Sequence, residues 1–207
     1  MTYSSCLIDD PRPLVLDTSV LINLHACTYG ERILMAIPND IIVAQIVAKE
    51  LQHETSLRNG EHSFLRGLIS QRKVSLVEMS EEEYELFANL TSGGSSLDDG
   101  EAATLAIAAK RDYLPIVDEK RGRARALTLA PLKKAGWSLD VLLHPQVQMS
   151  LSAVESVESV YLALRDARMR IADGQCEFVV GLIGSQRALE CRSLPGYKHR
   201  CLKWQEG

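Results

Sequence analysis

The sequence predicts an α/β fold in which helices cover both faces of a parallel sheet. Short apolar runs rich in β-branched residues recur along the chain, as expected for strands that are buried on both faces. Helical patterns or helix-capping sequences follow these runs, and this alternation favours parallel pairing. The 207 residues, 46% hydrophobic and 24% charged, suit one globular domain with a small appendage.

Five segments are predicted to form strands, with helices between them. The strands are expected at residues 14–16, 41–44, 74–77, 114–117 and 137–143. Ser80 and Glu83 have the spacing of a capping box, so a helix should run from there to about residue 90. Asp98 or Asp99 can cap the next helix, which should end near residue 111. Further helices are expected after the first strand and at about 45–54, 61–72 and 119–129.

The segment after Pro145 has a different pattern, and it predicts a mainly helical C-terminal extension. Its apolar residues fall at helical spacing. Core packing is the simpler use of this stripe, and contact with a second copy or another protein is the alternative. The stripe consists of Leu151, Val154, Val157, Val160, Tyr161 and Leu164.

Composition argues against an autonomous DNA-binding module but leaves a nuclease with a local basic rim open. The net charge of −4 and pI near 5.8 give no overall basic field that would draw the chain to nucleic acid or a membrane. No apolar run is long enough to span a bilayer, and no leader sequence is apparent at the N-terminus. The five cysteines have no CxxC spacing, so we expect free thiols and a cytoplasmic location rather than disulfides or a zinc site.

Four acidic residues, each near a junction between a strand and a helix, are the strongest indication of chemistry. They are Asp17, Glu50, Glu101 and Asp118. In open parallel sheets the ligand site lies beyond the carboxyl ends of the strands, where strand order reverses. Carboxylates that converge there would repel one another, and a hard divalent cation is their natural partner. The pattern therefore predicts metal-dependent phosphate chemistry.

Each acidic residue also has a purely structural interpretation. Asp17 begins an Asp-Thr-Ser cluster that is typical of a helix N-cap. Glu50 can be an ordinary exposed helical glutamate. Glu101 can bond back to the amide of Asp98 in a capping box, and Asp99 is then an alternative ligand in the same loop.

Charge is segregated along the chain. Residues 110–134 hold eight Lys or Arg and three acids, whereas residues 74–101 hold eight acids and neither Lys nor Arg. Lys120, Arg121 and Arg123, just after Asp118, are candidates for holding a phosphodiester backbone. A solvated helix face is the alternative.

Four motifs in this order resemble those of the PIN domain family: Val-Leu-Asp17-Thr-Ser-Val-Leu-Ile, Val-Ala-Lys-Glu50-Leu, Gly-Glu101-Ala-Ala-Thr-Leu-Ala and Ile-Val-Asp118-Glu-Lys-Arg-Gly-Arg. The resemblance implies a three-layer α/β/α sandwich at residues 14–143, with residues 144–207 as an extension of unknown role. It implies a metal-dependent ribonuclease in which the four acids hold Mg²⁺ or Mn²⁺, supported by Thr18 and Ser19. Many family members have Asp where this chain has Glu101, and many are toxins neutralised by a small antitoxin protein.

The resemblance implies direct hydrolysis of RNA by a metal-activated water. No GxSxG or P-loop motif occurs, so acyl transfer and P-loop nucleotide hydrolysis lack support. A haloacid-dehalogenase-like phosphatase would need a second Asp where this chain has Ser19. The other alternative is a catalytically silent PIN-like module that binds RNA or a protein, against which the presence of all four acids counts. A homodimer is a further expectation for the assembly.

Overall fold

The computed structural model describes residues 3–94, 96–129, 132 and 134–205, and these form four strands, fourteen α-helices and one short 3-10 helix, Asp173–Gln175. The strands are β1 (Leu14–Leu16), β2 (Ile41–Ala44), β3 (Val74–Val77) and β4 (Leu114–Ile116). The helices are α1 (Thr18–Ala26), α2 (Gly30–Ala36), α3 (Gln45–Glu50), α4 (Glu54–Asn59), α5 (Glu61–Ser70), α6 (Glu81–Thr91), α7 (Asp99–Arg111), α8 (Lys120–Thr128), α9 (Ser138–Leu142), α10 (Pro145–Ser150), α11 (Ala153–Asp166), α12 (Cys176–Ile183), α13 (Ser185–Ala188) and α14 (Tyr197–Trp204).

The four strands form one parallel sheet in the order β3-β2-β1-β4. Strand order proceeds outward from β1 to β3 and then returns to the other side of β1, so the reversal lies between β1 and β4. The register pairs Leu16 with Ile116, which brings the carboxyl ends of these two strands to the same edge. A parallel sheet flanked by helices confirms the predicted α/β sandwich.

The chain divides into two compact units. The sheet unit comprises Asp10–Leu21 and Pro38–Gly136, and the helical unit comprises Met1–Asp9, Ile22–Ile37 and Trp137–Gly207. All four strands and all four acidic residues belong to the sheet unit. The expected division at residues 143 and 144 stays a prediction.

Helix α7 forms much of the core of the sheet unit. It packs against β1, β2 and β4, and every residue from 100 to 109 is buried. Its alanines let the helix approach the sheet closely, and a helix that is apolar all round is expected in a core. Asp98 caps the helix as predicted, since its Oδ1 accepts a hydrogen bond from the Glu101 amide at 2.8 Å. The predicted capping box of Ser80 and Glu83 at α6 is also confirmed.

The fifth strand predicted at residues 137–143 is wrong, because this segment forms α9 in the helical unit. The buried carboxylate of Asp140 accepts hydrogen bonds from the amides of Trp137 and Cys6, each at 2.9 Å, and from the hydroxyl of Tyr3 at 2.9 Å. These bonds fix the first turn of a helix. Short apolar runs of this length fit a strand or a buried helix equally well by their spacing alone. What remains of the prediction is one parallel bridge between Ile116 and Gly136 in the sheet unit.

The C-terminal region is helical, as predicted. Ser152 and Glu155 form a capping box at the start of α11. Val160, Tyr161 and Leu164 of the apolar stripe are buried, whereas Val154 is exposed, so most of the stripe serves core packing. All five cysteines are free thiols. Among the described residues, no helix combines the length and apolar character needed to cross a membrane.

Candidate functional site

Two of the predicted acids lie at the strand reversal. Asp17 directly follows β1, and its amide donates a hydrogen bond to the Ile116 carbonyl of β4 at 3.2 Å. Asp118 follows the end of β4 by two residues. Both side chains are buried, each residue being 3% exposed. This is the crevice in which open α/β sheets bind their ligands.

Glu50 reaches the same place from the end of α3, and the three oxygens that meet there surround Gly100. A β-carbon built on Gly100 would lie 2.5 Å from Glu50 Oε2, 2.8 Å from Thr18 Oγ1 and 3.1 Å from Asp17 Oδ1. The Thr18 hydroxyl donates a short hydrogen bond to Glu50 Oε2. The Gly100 amide donates to Glu50 Oε1 at 2.9 Å. Glu50 is therefore not an ordinary exposed helical glutamate.

The two oxygens of Asp17 have different surroundings. Oδ2 accepts hydrogen bonds from the Ser19 hydroxyl at 2.7 Å and from the Ser19 amide at 3.3 Å. Oδ1 is the oxygen that lies near Gly100. The helix-cap interpretation is therefore met by Oδ2, whereas the site interpretation, which concerns Oδ1, stays a prediction.

Glu101 is directed toward the first turn of α8. A β-carbon built on Gly122 would lie 2.7 Å from Glu101 Oε1, and Glu101 is 3% exposed. The N-terminus of a helix favours a carboxylate through its amide dipoles. Asp118 precedes this same helix by two residues. Oxygens of Asp17 and Glu50 therefore lie at the N-terminal turn of α7, and Glu101 lies at that of α8, which Asp118 precedes in the chain.

Burial is the main influence on the pKa values of Asp17 and Glu50. Burial raises the pKa of Asp17 to about 7, with the charge of Asp98 adding to the effect and the Ser19 hydroxyl opposing it. Burial also raises the pKa of Glu50, and Asp98 and Asp99 again add to it while the Thr18 hydroxyl opposes it. A cation beside these carboxylates would offset the repulsion from Asp98 and Asp99.

Asp98 is the residue whose contribution the sequence reasoning missed. It was interpreted as a helix cap only, yet its charge acts on both Asp17 and Glu50. The signal that could have found it is its position, directly before the Asp99-Gly100-Glu101 segment that lines the site.

The three predicted substrate-binding cations differ in their surroundings. Lys120 and Arg121 are exposed at the start of α8. Arg123 is half-buried, and its Nη1 donates to the carbonyls of Val117 at 3.3 Å and Gly136 at 2.8 Å. Arg123 therefore helps to hold the segment that carries Asp118. Lys133, one of the eight cations counted in this region, lies outside the described residues.

The site is not a finished coordination sphere. Within residues 3–94, 96–129, 132 and 134–205, no three or more His, Cys, Asp or Glu side chains are arranged to hold one metal ion. Glu50 Oε2 bonds to Thr18, and Asp17 Oδ2 bonds to Ser19. Asp17, Glu101 and Asp118 are buried and Glu50 is half-buried, and oxygens of Asp17 and Glu50 converge on Gly100.

Comparison with known proteins identifies the family. The family model DUF3368, a PIN domain, matches residues 13–185, which is well over half of the chain. No curated protein and no solved structure matches the chain significantly. The match spans the sheet, the four acidic residues and the helices as far as the start of α13. This chain therefore belongs to the PIN domain family, whose members are generally nucleases that use divalent metal ions.

Proposed function

We propose that this protein is a Mg²⁺- or Mn²⁺-dependent endoribonuclease whose ion is held by Asp17, Glu50, Glu101 and Asp118. The observation that carries the proposal is the convergence of Asp17 Oδ1, Thr18 Oγ1 and Glu50 Oε2 around Gly100. Buried carboxylates that face one another are unfavourable unless a proton or a cation neutralises them. Family membership supports the same chemistry.

The residues fit a hard divalent ion by their chemistry. Every candidate ligand is an oxygen, and carboxylate oxygens are what Mg²⁺ and Mn²⁺ prefer. The missing side chain of Gly100 leaves room where two of these oxygens, Asp17 Oδ1 and Glu50 Oε2, meet beside the Thr18 hydroxyl. A divalent ion bound here would supply an activated water and would neutralise charge on the scissile phosphate.

The chain itself holds its ligands in place. Ser19 fixes one oxygen of Asp17, and we propose that it thereby aims the other oxygen at the ion. The Thr18 hydroxyl and the Gly100 amide each hold one oxygen of Glu50. Such supporting hydrogen bonds orient metal ligands and tune their affinity.

The substrate would be held by positive charge at the start of α8. We propose that Lys120 and Arg121, which are exposed beside Asp118, contact phosphates of the RNA. Arg123 is proposed for the same contact, although its Nη1 also supports the backbone between Asp118 and α8.

Cleavage of a mixed pool of single-stranded and structured RNA tests the proposal. The full chain would be assayed with Mn²⁺, with Mg²⁺ and with EDTA. We expect cutting that needs the metal and that falls to background in Asp17→Asn and in Asp118→Asn. Glu54→Gln is the matched control, because Glu54 is exposed on α4 and its ion pair with Arg58 spans 3.7 Å. Cutting that persists in EDTA, or in both Asn variants, would reject the proposal.

A catalytically silent module that binds RNA or a protein is the second candidate. It is favoured by the absence, among the described residues, of a ready-made group of three metal-holding side chains. It predicts a folded protein that binds RNA without cutting it and that gains no thermal stability from Mn²⁺. The endoribonuclease proposal predicts a cation-dependent rise in melting temperature that Asp17→Asn abolishes.

We further propose a cytoplasmic protein that acts as the toxin of a toxin–antitoxin pair, with a small antitoxin or a second copy of itself as partner. Induced expression would then arrest growth in the parent but not in Asp17→Asn. Equal growth of the two strains at equal protein levels would argue against a toxin.

A further inference from the structure

Positive charge is concentrated at the C-terminal end of the helical unit. Residues 191–205 contain four Lys or Arg and no acid, between Glu190 and Glu206, in a chain whose net charge is −4. The four cations are Arg192, Lys198, Arg200 and Lys203. Three of them belong to α14, so this helix carries most of the excess.

One side of α14 is fixed to the helical unit. Trp204 is buried, and the Tyr197 hydroxyl donates a hydrogen bond to the Leu189 carbonyl. Arg200 donates to Glu177 at 3.0 Å and to Asp173 at 3.1 Å. These contacts use the charge of Arg200 within the unit and determine which side of the helix faces outward.

The outward side carries exposed positive charge. Lys198, His199, Leu202 and Lys203 are all exposed, and we call them the α14 basic face. At about 100° per residue they cover an arc of roughly 140°. Among the described residues, neither Lys198 nor Lys203 takes part in a salt bridge, and neither does the exposed Arg192.

We propose that the α14 basic face binds the sugar–phosphate backbone of an RNA substrate. This inference rests on the proposed function, which supplies an RNA substrate. Two exposed ammonium groups that make no salt bridge among the described residues complement a polyanion, and lysine serves as a phosphate contact that carries no sequence information. Leu202 is the one large apolar side chain of the face, too little to anchor the helix in a membrane.

Binding measured without metal tests this surface directly. A fluorescently labelled single-stranded RNA would be titrated in EDTA with the full-length parent, with Lys198→Gln/Lys203→Gln and with Arg58→Gln/Lys73→Gln. The last variant is the matched control, because it removes two exposed positive charges from the sheet unit. Circular dichroism and melting temperature would show that all three proteins are folded.

We expect the Lys198/Lys203 variant to bind RNA about tenfold more weakly at 0.1 M salt. The slope of log affinity against log salt concentration should be smaller in magnitude by about 1.4, since each single-strand phosphate contact contributes about 0.7. The control should stay within about twofold of the parent. Equal affinities of the two double variants would overturn the inference, and so would a parent that does not bind RNA in EDTA.

Cleavage with Mn²⁺ separates this inference from the proposed function. Selective loss of binding in the Lys198/Lys203 variant, with no cleavage by the parent, would support the surface and reject the endoribonuclease. Normal cleavage by the parent, with equal binding of both double variants, would support the endoribonuclease and reject the surface.

Discussion

Gly100→Ala is the substitution that most directly tests the convergence of oxygens at the site. Gly100 is the second residue of α7, where alanine would ordinarily favour the helix over glycine by up to about 1 kcal/mol. Here the new methyl carbon would lie 2.5 Å from Glu50 Oε2 and 2.8 Å from Thr18 Oγ1. Contacts this short require one of the two side chains to move.

Gly67→Ala is the matched control for this substitution. Gly67 lies within α5 of the same unit, and a β-carbon built there meets nothing within 4 Å. We expect Gly67→Ala to stabilise the protein by about 1 kcal/mol. Gly100→Ala should be less stable than Gly67→Ala by about 1–3 kcal/mol, which is the usual penalty for overpacking.

The larger effect of Gly100→Ala should fall on the cation. At a Mn²⁺ concentration 100 times its dissociation constant, the parent gains about 2.7 kcal/mol of stability, and a tenfold weaker variant gains about 1.4 kcal/mol. Urea denaturation with Mn²⁺ and with EDTA measures both quantities. If Gly100→Ala and Gly67→Ala have equal stability and equal cation responses, the oxygens of Glu50, Thr18 and Asp17 do not surround Gly100.

Other predictions concern the packing that supports the site. The buried Glu83 carboxylate accepts hydrogen bonds from Arg111 at 2.6 and 2.9 Å, so Glu83→Gln should lower the free energy of unfolding by about 2–3 kcal/mol in urea denaturation. This is below the roughly 3–5 kcal/mol of a fully buried pair, because Arg111 is partly hydrated. The control, Glu82→Gln at an exposed position, should cost under about 0.5 kcal/mol. Burial opposes ionisation of Glu83, but the hydrogen bonds from Arg111 outweigh it and lower the pKa of Glu83. The stability that the Glu83–Arg111 pair contributes is therefore complete above the unfolded-state pKa of about 4.3 and is lost as pH falls through the folded-state pKa. A Glu83→Gln variant whose stability falls as steeply as the parent's between pH 5 and 3 would contradict that assignment. Asp140→Asn leaves one side-chain oxygen to accept the hydrogen bonds that the two carboxylate oxygens now share, so it should destabilise the helical unit by about 1–3 kcal/mol. An unchanged melting temperature would show that the Trp137 amide does not depend on this carboxylate.

Local sequence was sufficient for the parts of the site that depend on strand ends. Asp17 and Asp118 follow short apolar runs whose ends are visible in the sequence, and parallel pairing then brings them to one edge of the sheet. The direction of Glu50 could not be predicted, because it depends on Thr18 and Gly100, which are 32 and 50 residues away in the chain. Helical spacing around residue 50 leaves that direction open.

Two further differences have distinct physical causes. The segment at 137–143 was predicted as a strand because its apolar spacing fits either structure, and the carboxylate of Asp140 decides for the helix through bonds to residues over 130 positions away. The influence of Asp98 on Asp17 and Glu50 is a through-space effect of charge. Neither the long-range hydrogen bonds of Asp140 nor the charge effect of Asp98 produces a periodic pattern of residues in the sequence.

The glycine in the first turn of α8 has a consequence for engineering this protein. A programme that raised thermostability by replacing helical glycines with alanine would select Gly122 together with Gly67 and Gly181. The last two positions are open, whereas a β-carbon at Gly122 would meet the carboxylate of Glu101 at 2.7 Å. Gly122 is thus a position where the chain accepts lower helix stability in exchange for space. Replacement by alanine should be tolerated at Gly67 and Gly181, whereas at Gly122 it would displace the carboxylate of Glu101.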